Sequence, residues 1–519
     1  MKRVISLLLV CCFLALALVA CGGGKEKETK APETNTNEVL TDIYGQTALT
    51  PKIDLSTLDF EGETLTVMVR NDEKVSREWE KEDVGDDELD LAIANRNEVV
   101  EGDLNLNVEI ELVANSEHGN CVQVYTQLIT QDIDNNLHDF DIAAHFAYAA
   151  TEVAIRDYNV NLLDTDTLPY FNFDLMCWNQ TIVNNTQANG QLYFASGDLN
   201  LSLFDSAMIL WHNKDLYEKV RDDDDPKDIQ DLILAGDWTY SELYKWAQYY
   251  NDSDDATDCG DIYGVHLEGV YITNPNDAIP YAWDLEIVKT NPDGTHYYNI
   301  VGNSKISEAM TKYRNMYKAE GNDASQNVHC TCGVAGGHFV AGDRLFVNNV
   351  LFWDKASNLA IREMEDKYSI VPHPKYDESQ ANYGSTSMDY YTLMSVLDHA
   401  KSSVPTKGEA ISAYLQYATE YSYTHVRGYY FERIVKPKFF GTDDSDGHVT
   451  KSVTIFVTII DNLEFDFYTL YSPQLEDITH LWRKTLTNSS GKIEQAYCGA
   501  KDLFDGALED MDKWFGLIH

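Results

Sequence analysis

The sequence predicts an α/β protein built on a doubly wound parallel sheet, and three segments carry that expectation. Gly62–Arg70 (GETLTVMVR) alternates apolar and polar residues with the period of a half-buried strand. Leu91, Ile93, Val99 and Val100 then recur with a helical period, and Leu106–Val113 returns to the period of a strand. Cys121–Ile133 reads as a second helix, and Asp139–Phe146 (DFDIAAHF) as a short buried strand. Strand, helix, strand, helix, strand requires crossover connections, which give a parallel sheet with helices on its faces. Ligands of such sheets lie beyond the carboxyl ends of the strands, where His145, Phe146 and Tyr148 fall.

Ahead of this pattern, Lys2 and Arg3 precede an apolar run from Val4 to Ala20 that stops at Leu18-Val19-Ala20-Cys21. Charge, apolar core and small residues before a cysteine resemble a bacterial lipoprotein signal, with residues 1–20 removed and Cys21 carrying the lipid. Residues 21–57 are rich in Gly, Lys, Glu, Thr, Pro and Asn, cannot bury enough apolar surface to order themselves, and read as a flexible tether. The next most apolar segment, Val453–Asp461 (VTIFVTIID), is too short to span a bilayer and reads as strand-sized.

Residues 58–519 are ample for two sizeable domains sharing an interface. The chain carries 39 Lys and Arg against 85 Asp and Glu, a net charge of −46 that repels nucleic acid and anionic lipid alike. Outside the amino-terminal segment the cysteines are Cys121, Cys177, Cys259, Cys330, Cys332 and Cys498, which permit disulfides without defining a pairing. His329, Cys330, Cys332 and His338 have metal-binding types in a spacing foreign to common zinc modules. Asp252, Asp254, Asp258 and Asp261 form an acidic turn, but Ala256 and Thr257 stand where a calcium loop needs an oxygen ligand and a glycine. No metal is expected at either place. GxSxG, HExxH, GxxxxGK[ST], strand-linked GxGxxG and CxxC are all missing, so neither a catalytic centre nor a cofactor site is indicated.

Further along, Asn189–Lys219 (NGQLYFASGDLNLSLFDSAMILWHNKDLYEK) contains an apolar strand followed by the start of a helix. Gly236–Gln248 (GDWTYSELYKWAQ) opens an amphipathic helix with Ser241 as its N-cap, and Asp261–Val265 (DIYGV) follows. Tyr368–Ser385 (YSIVPHPKYDESQANYGS) begins as a strand that Pro372 and Pro374 end. In this order the segments resemble the extracellular solute-binding proteins of ABC importers (family 1), in the branch that includes maltose-binding protein and many lipoproteins of Gram-positive bacteria.

That resemblance covers most of residues 58–519. It implies a two-lobed, periplasmic-binding-protein-like fold of type II, each lobe a doubly wound sheet flanked by helices, with a ligand cleft between them that closes by hinge bending. It assigns residues 58–165 and 384–436 to the first lobe and 166–383 and 437–519 to the second. It implies a carbohydrate ligand, an oligosaccharide above all, delivered to the membrane subunits of an ABC permease by a monomeric receptor held by its lipid on the outer face of the cell membrane. Aromatic faces stack on sugar rings and carboxylates take pairs of hydroxyls, so the candidate contacts are Trp353, Trp283, Tyr281, His145, Phe146, Asp389, Tyr390, Asp198 and Asp205. Trp211, Trp238 and Trp246 fit framework packing, Trp482 and Trp514 lie in carboxyl-terminal helical segments, and all five are left out of the site. Insertions at Asp222–Asp231 and Asn322–Gly342 depart from simpler members of the family. Two other functions fit the same chain: an exported carbohydrate-active enzyme, which needs two acids across the cleft, and a receptor for a peptide or polyamine.

Overall fold

The computed structural model describes residues 51–80, 87–114, 121–252, 261–267, 275–322, 335–351, 361, 364–399, 407–431 and 448–519. Its strands in chain order are β1 (Glu63–Asn71), β2 (Leu106–Ala114), β3 (Ile142–Phe146), β4 (Met208–Asn213), β5 (Tyr250–Asn251), β6 (Ile262–His266), β7 (Val288–Thr290), β8 (His296–Tyr298), β9 (Arg344–Val350), β10 (Tyr368–Val371) and β11 (Thr392–Val396).

The first sheet has the order β11-β3-β1-β2. β1 is parallel to both β2 and β3, as the sequence predicts, and β11 returns antiparallel to β3. Side-chain alternation along β1 sends Leu65, Val67 and Val69 to one face and Met68 to the other. The first face is covered by helices Glu88–Leu104 and Gly408–Tyr421 through Val100, Leu104, Ile411 and Leu415, the second by helix Cys121–Asp134 through Tyr125, Ile129 and Ile133. Asp87 caps helix Glu88–Leu104 by accepting from the backbone N–H groups of Leu89 and Asp90, and Asn105 ends it in the left-handed region at φ 49°.

The second sheet, β10-β4-β9-β6-β5, is mixed: among the described residues β6 and β9 run parallel, and β4 is antiparallel to both of its neighbours. Trp211, Trp238 and Trp246 are buried in its core. The β7–β8 hairpin stands apart from both sheets.

Two segments connect the sheets side by side. Ala195 and Met394 exchange backbone hydrogen bonds of 3.0 and 2.8 Å, and Met208 and Met388 donate to the carbonyls of Thr386 and Ser206 at 2.9 and 2.8 Å. A third segment joins them where Glu464 N–H donates to Ser385 O at 2.7 Å. Gly384 leads into this junction; a Cβ there would lie 2.3 Å from the Tyr281 carbonyl oxygen, so the approach requires glycine. Between the first two segments sits the carboxylate of Glu78, wholly buried. It accepts from Ser202 N–H (2.8 Å), Ser202 Oγ (3.2 Å), Thr392 Oγ1 (2.6 Å) and Asn200 Nδ2 (3.4 Å), and so ties residues from both connections to the first lobe.

Three expectations need correction. Val453–Asp461 is not a strand but part of helix His448–Asp461, because Ser452, Ile455, Phe456, Ile459 and Ile460 fall on one buried helical face and that burial outweighs their β-branched preference. Helix Tyr240–Ala247 starts two residues earlier than Ser241 would place it, with Thr239 at its N-cap. Leu168, Leu175, Trp178, Val183 and Leu192, assigned above to the second lobe, pack into the core of the first sheet, where Trp178 Nε1 donates to Gln416 Oε1 at 2.9 Å. Cys177, which is buried, and Cys498, which is exposed, are free thiols, a point the sequence leaves open. Residues 1–50, Cys259, Cys330, Cys332 and His329 lie outside the described residues. Among the described residues no helix is long and apolar enough to cross a membrane.

Burial pushes the Glu78 carboxyl up to about 7, against the pull of its hydrogen bonds to Thr392, Ser202 and Asn200. The unfolded chain releases this proton near 4.5, so between those values the native state holds more protons and stability falls as pH rises. At about 1.4 kcal/mol per pH unit the loss comes to about 3.5 kcal/mol. Glu78→Gln should flatten this part of the pH dependence, and Glu78→Ala, which strands buried donors, should cost about 2–3 kcal/mol at pH 5. Urea midpoints at pH 5 and pH 8 check both; an identical pH response in wild type and Glu78→Gln contradicts the assignment.

Candidate functional site

β3 ends at Phe146 and the chain enters helix Ala147–Ala154 at once, which places Tyr148 in its first turn at the carboxyl end of the sheet. The connecting segment brings Thr386, Ser387, Asp389 and Tyr391 to the same point. The facing wall comes from the second lobe: Met208 at the start of β4, Asp277 in the turn Pro275–Ala278, Tyr468 and Thr469 in helix Phe467–Leu470, and Trp482 in helix His480–Thr487. Together they line a cavity of about 20 Å³, room for about one water molecule. The lobes stand closed on one another, and a ligand of several atoms requires them to part.

The walls are aromatic and the polar groups between them are incompletely matched. Asp389 Oδ1, Thr386 Oγ1, Trp482 Nε1 and Arg483 Nη2 are buried without a hydrogen-bond partner. Arg483 Nε lies 2.9 Å from Asp277 Oδ1. Burial pushes the Asp389 carboxyl up to about 7, with the positive charges of Arg483 and Arg70 opposing the rise. The Tyr148 hydroxyl is raised well above its ordinary value by burial and by Asp389 and Asp277, so it remains a neutral donor. On the first-lobe side the Arg70 guanidinium lies 4.2 Å from the Tyr390 ring centre and 5.1 Å from that of Phe146, and its Nη2 donates to Tyr390 O at 3.0 Å. Aromatic faces beside interleaved donors and acceptors suit a polyhydroxylated ring, which has an apolar C–H face and hydroxyls that both give and take hydrogen bonds.

Of the residues singled out from the sequence, Asp389 lines this space. Phe146 and Tyr390 brace it from behind through Arg70, their rings edge to face at 5.9 Å. His145 points to the other face of β3, where its ring lies 5.7 Å from Tyr125 and burial pulls it down to about 3, so it is a neutral core residue. Trp283 is also core: the short helix Ile279–Ala282 turns it inward, Nε1 donates to Pro374 O at 3.0 Å, and Tyr240 and Tyr313 stand edge-on at 5.6 and 5.8 Å. Tyr281 donates to Asp466 Oδ1 at 2.8 Å and lines a neighbouring groove. Asp198 pairs with Arg427 at 3.4 Å, and Asp205 accepts from the Tyr430 hydroxyl at 2.5 Å. Both acids thus fasten the segment 427–430 rather than line the space. Trp353 lies outside the described residues. Trp482, left out of the site from its place in a carboxyl-terminal helical segment, is a wall of the cavity, and Asp277, Thr386 and Tyr468 are not singled out by the sequence at all. The adjacency Trp482-Arg483 in a short amphipathic helix is the one sequence signal that pointed there.

Among the described residues no group of three or more His, Cys, Asp or Glu is placed to hold a metal ion. No family model matches the sequence, and no curated protein matches it. Solved structures match the fold. A cyclo/maltodextrin-binding protein complexed with maltotetraose superposes with a TM-score of 0.50 at 14% identity, over 87% of this chain and 98% of its own. The galacto-N-biose/lacto-N-biose I-binding protein of an ABC transporter from Bifidobacterium longum, in complex with lacto-N-biose, superposes with a TM-score of 0.50 at 12% identity, over 88% and 98%. The chain therefore has the two-lobed, periplasmic-binding-protein-like fold of type II.

Asp389 holds its proton to about 7 in the folded chain and releases it near 3.8 when unfolded, so it lowers stability as pH rises between those values. Asp389→Asn in the ligand-free protein should remove that loss and stabilise the fold at pH 8 by on the order of 2 kcal/mol. Thermal melts at pH 5 and pH 8 measure it, and a variant less stable than wild type at pH 8 contradicts the placement.

Proposed function

We propose that the chain is a lipid-anchored extracellular receptor that captures a carbohydrate, an oligosaccharide, between its lobes and delivers it to an ABC permease. The observation that carries this reading is the cavity between the lobes, in which Trp482, Tyr148, Tyr391 and Tyr468 surround buried polar atoms of Asp389, Thr386 and Trp482 that have no partner within the protein. A sugar hydroxyl accepts from Trp482 Nε1 or Arg483 and donates to Asp389, so one ligand chemistry satisfies all of them. The fold lends support, since the two superposed proteins are described as binding maltotetraose and lacto-N-biose. Closure of two lobes over a solute needs no covalent chemistry; stacking, hydroxyl hydrogen bonds and burial supply the free energy. The lipid at Cys21, the outer membrane face, the permease partner and the monomeric state belong to this proposal and rest on the amino-terminal sequence and the family resemblance.

One observation favours a second reading. Asp277 and Asp389 face the same space, and a carboxyl held near 7 suits a general acid in glycoside hydrolysis.

Calorimetry of the full chain with neutral mono- and oligosaccharides, with polyamines and short peptides alongside, separates these readings. A sugar that binds and is recovered intact fits a receptor; released shorter products identify an enzyme, and binding of a polyamine or peptide alone removes the sugar assignment. Trp482→Phe and Asp389→Asn should each weaken the sugar at least tenfold, or about 1.4 kcal/mol, while thermal melts show both variants folded.

A further inference from the structure

Two buried arginines stand at the lobe boundary with too few acids to match them. Arg70 is the next-to-last residue of β1, at the carboxyl edge of the first sheet where Phe146 and Tyr148 also lie, and it is 2% exposed. Its Nη2 donates to Tyr390 O and its Nε has no partner; among the described residues no carboxylate lies within ion-pair distance of it. Asp72, two residues on, receives the Tyr390 hydroxyl. On the facing wall Arg483, 3% exposed, follows Trp482 in helix His480–Thr487; its Nε meets Asp277 at 2.9 Å and its Nη2 has no partner. The other buried arginines among the described residues are matched within the protein. Arg344 pairs with Asp343 at 3.1 Å, Arg427 with Asp198 and Asp461 at 3.4 and 3.3 Å, and Arg96 donates to the carbonyls of Glu78 and Trp79 at 2.8 and 3.2 Å. A buried positive charge without a carboxylate is costly to keep, and two of them on opposite walls of one cavity call for an anion from outside.

We infer that the site between the lobes takes an acidic sugar, whose single carboxylate or sulfate ester is gripped by Arg70 from the first lobe and Arg483 from the second. This rests on the carbohydrate reading of that cavity and adds the charge of its ligand. Both arginines stand one layer behind the wall of the closed, empty cavity, Arg70 against the Tyr390 and Phe146 rings and Arg483 beside Asp277, and parting of the lobes is what opens a way to them. Each keeps an N–H free in a fixed planar fork, which suits the paired oxygens of a carboxylate or sulfate better than a lone hydroxyl. Asp389 does not compete for them. Both positive charges act on it, yet burial holds its proton up to about 7, so below that value it gives a hydrogen bond to an anion instead of repelling it. Thr386 Oγ1 and Trp482 Nε1 add unpartnered donors on the same walls. The net charge of −46 does not forbid such a ligand, because salt screens charges beyond about 10 Å and a single anionic group meets mainly its own surroundings.

The test is calorimetry of the full chain with glucose against glucuronate, galactose against galacturonate and galactose 6-sulfate, and the di- and trisaccharides of the neutral and uronate series. A charged sugar should bind roughly tenfold or more tighter than its neutral counterpart; the uronate binding better assigns the carboxylate, the sulfated sugar binding better assigns the ester. Arg70→Gln and Arg483→Gln should each cost the charged sugar roughly tenfold more affinity than the neutral one, and Arg70→Lys, which keeps the charge without the fork, should cost less than Arg70→Gln. Thermal melts show which variants fold, and Arg70→Lys carries the test if Arg70→Gln does not. Neutral sugars that bind as tightly as the charged ones overturn the acidic ligand while the receptor reading stands. Equal losses for charged and neutral sugars in the arginine variants overturn the grip assigned to Arg70 and Arg483. Failure of every sugar to bind overturns the carbohydrate reading itself, and this assignment with it.

Discussion

Two lobes built from discontinuous pieces of chain hold a defined relation only if the segments between them are fixed to each other, and here that is done by one buried carboxylate. Glu78 takes hydrogen bonds from Ser202 and Asn200 on one connection and from Thr392 on the other. Ser202 Oγ is itself the acceptor for Thr392 N–H at 3.1 Å, so the two connections are joined directly as well as through the acid. Desolvation of a wholly buried carboxylate is costly, and four donors are what make the position tolerable. Tyr391 and Asp389 lie one and three residues before Thr392, so the geometry at Glu78 fixes where those two side chains enter the cavity.

The cavity inverts that logic. At the hinge every buried acceptor atom of the acid is satisfied, whereas between the lobes Asp389 Oδ1, Thr386 Oγ1, Trp482 Nε1 and Arg483 Nη2 are left unmatched. Each such group costs about 1–3 kcal/mol in a closed, ligand-free protein. A fold selected for stability alone has no use for this arrangement, and one that must close on something else does.

Parts of this organisation were legible in the sequence. The period-2 run of β1, the helical period through Leu91 and Val100 and the strand at Ile142–Phe146 are local signals, and the parallel sheet followed from their order. The helix His448–Asp461 was not legible, because a β-branched run of that length has no local feature that distinguishes a buried strand from a buried helix. The packing of Leu168, Leu175, Trp178, Val183 and Leu192 into the first core depends on contacts such as Trp178 with Gln416, more than two hundred positions away in sequence, which no window of residues reveals. The site was legible only where it coincides with a strand end or a connection, as at Phe146 and Asp389. Trp283 and Trp482 have similar local surroundings as sequence, yet one is turned into the core by a short helix and the other faces the lobe boundary. What separates them is tertiary packing.

Unmatched groups also define how a ligand can drive closure. A solute that binds open and closed lobes equally shifts nothing, however tight its contacts. Asp389 and Thr386 come with the connecting segment, whereas Trp482 and Arg483 come with the second lobe, so a ligand bridging them makes its full set of hydrogen bonds only when the lobes have met. The differential contact free energy is then the sum of bonds available in the closed state alone, and about four such groups at roughly 1 kcal/mol each approach the ~5.5 kcal/mol that moves an equilibrium from one part in a hundred to ninety-nine. The same groups that weaken the empty closed form are therefore the ones through which an occupied form is distinguished from an empty one.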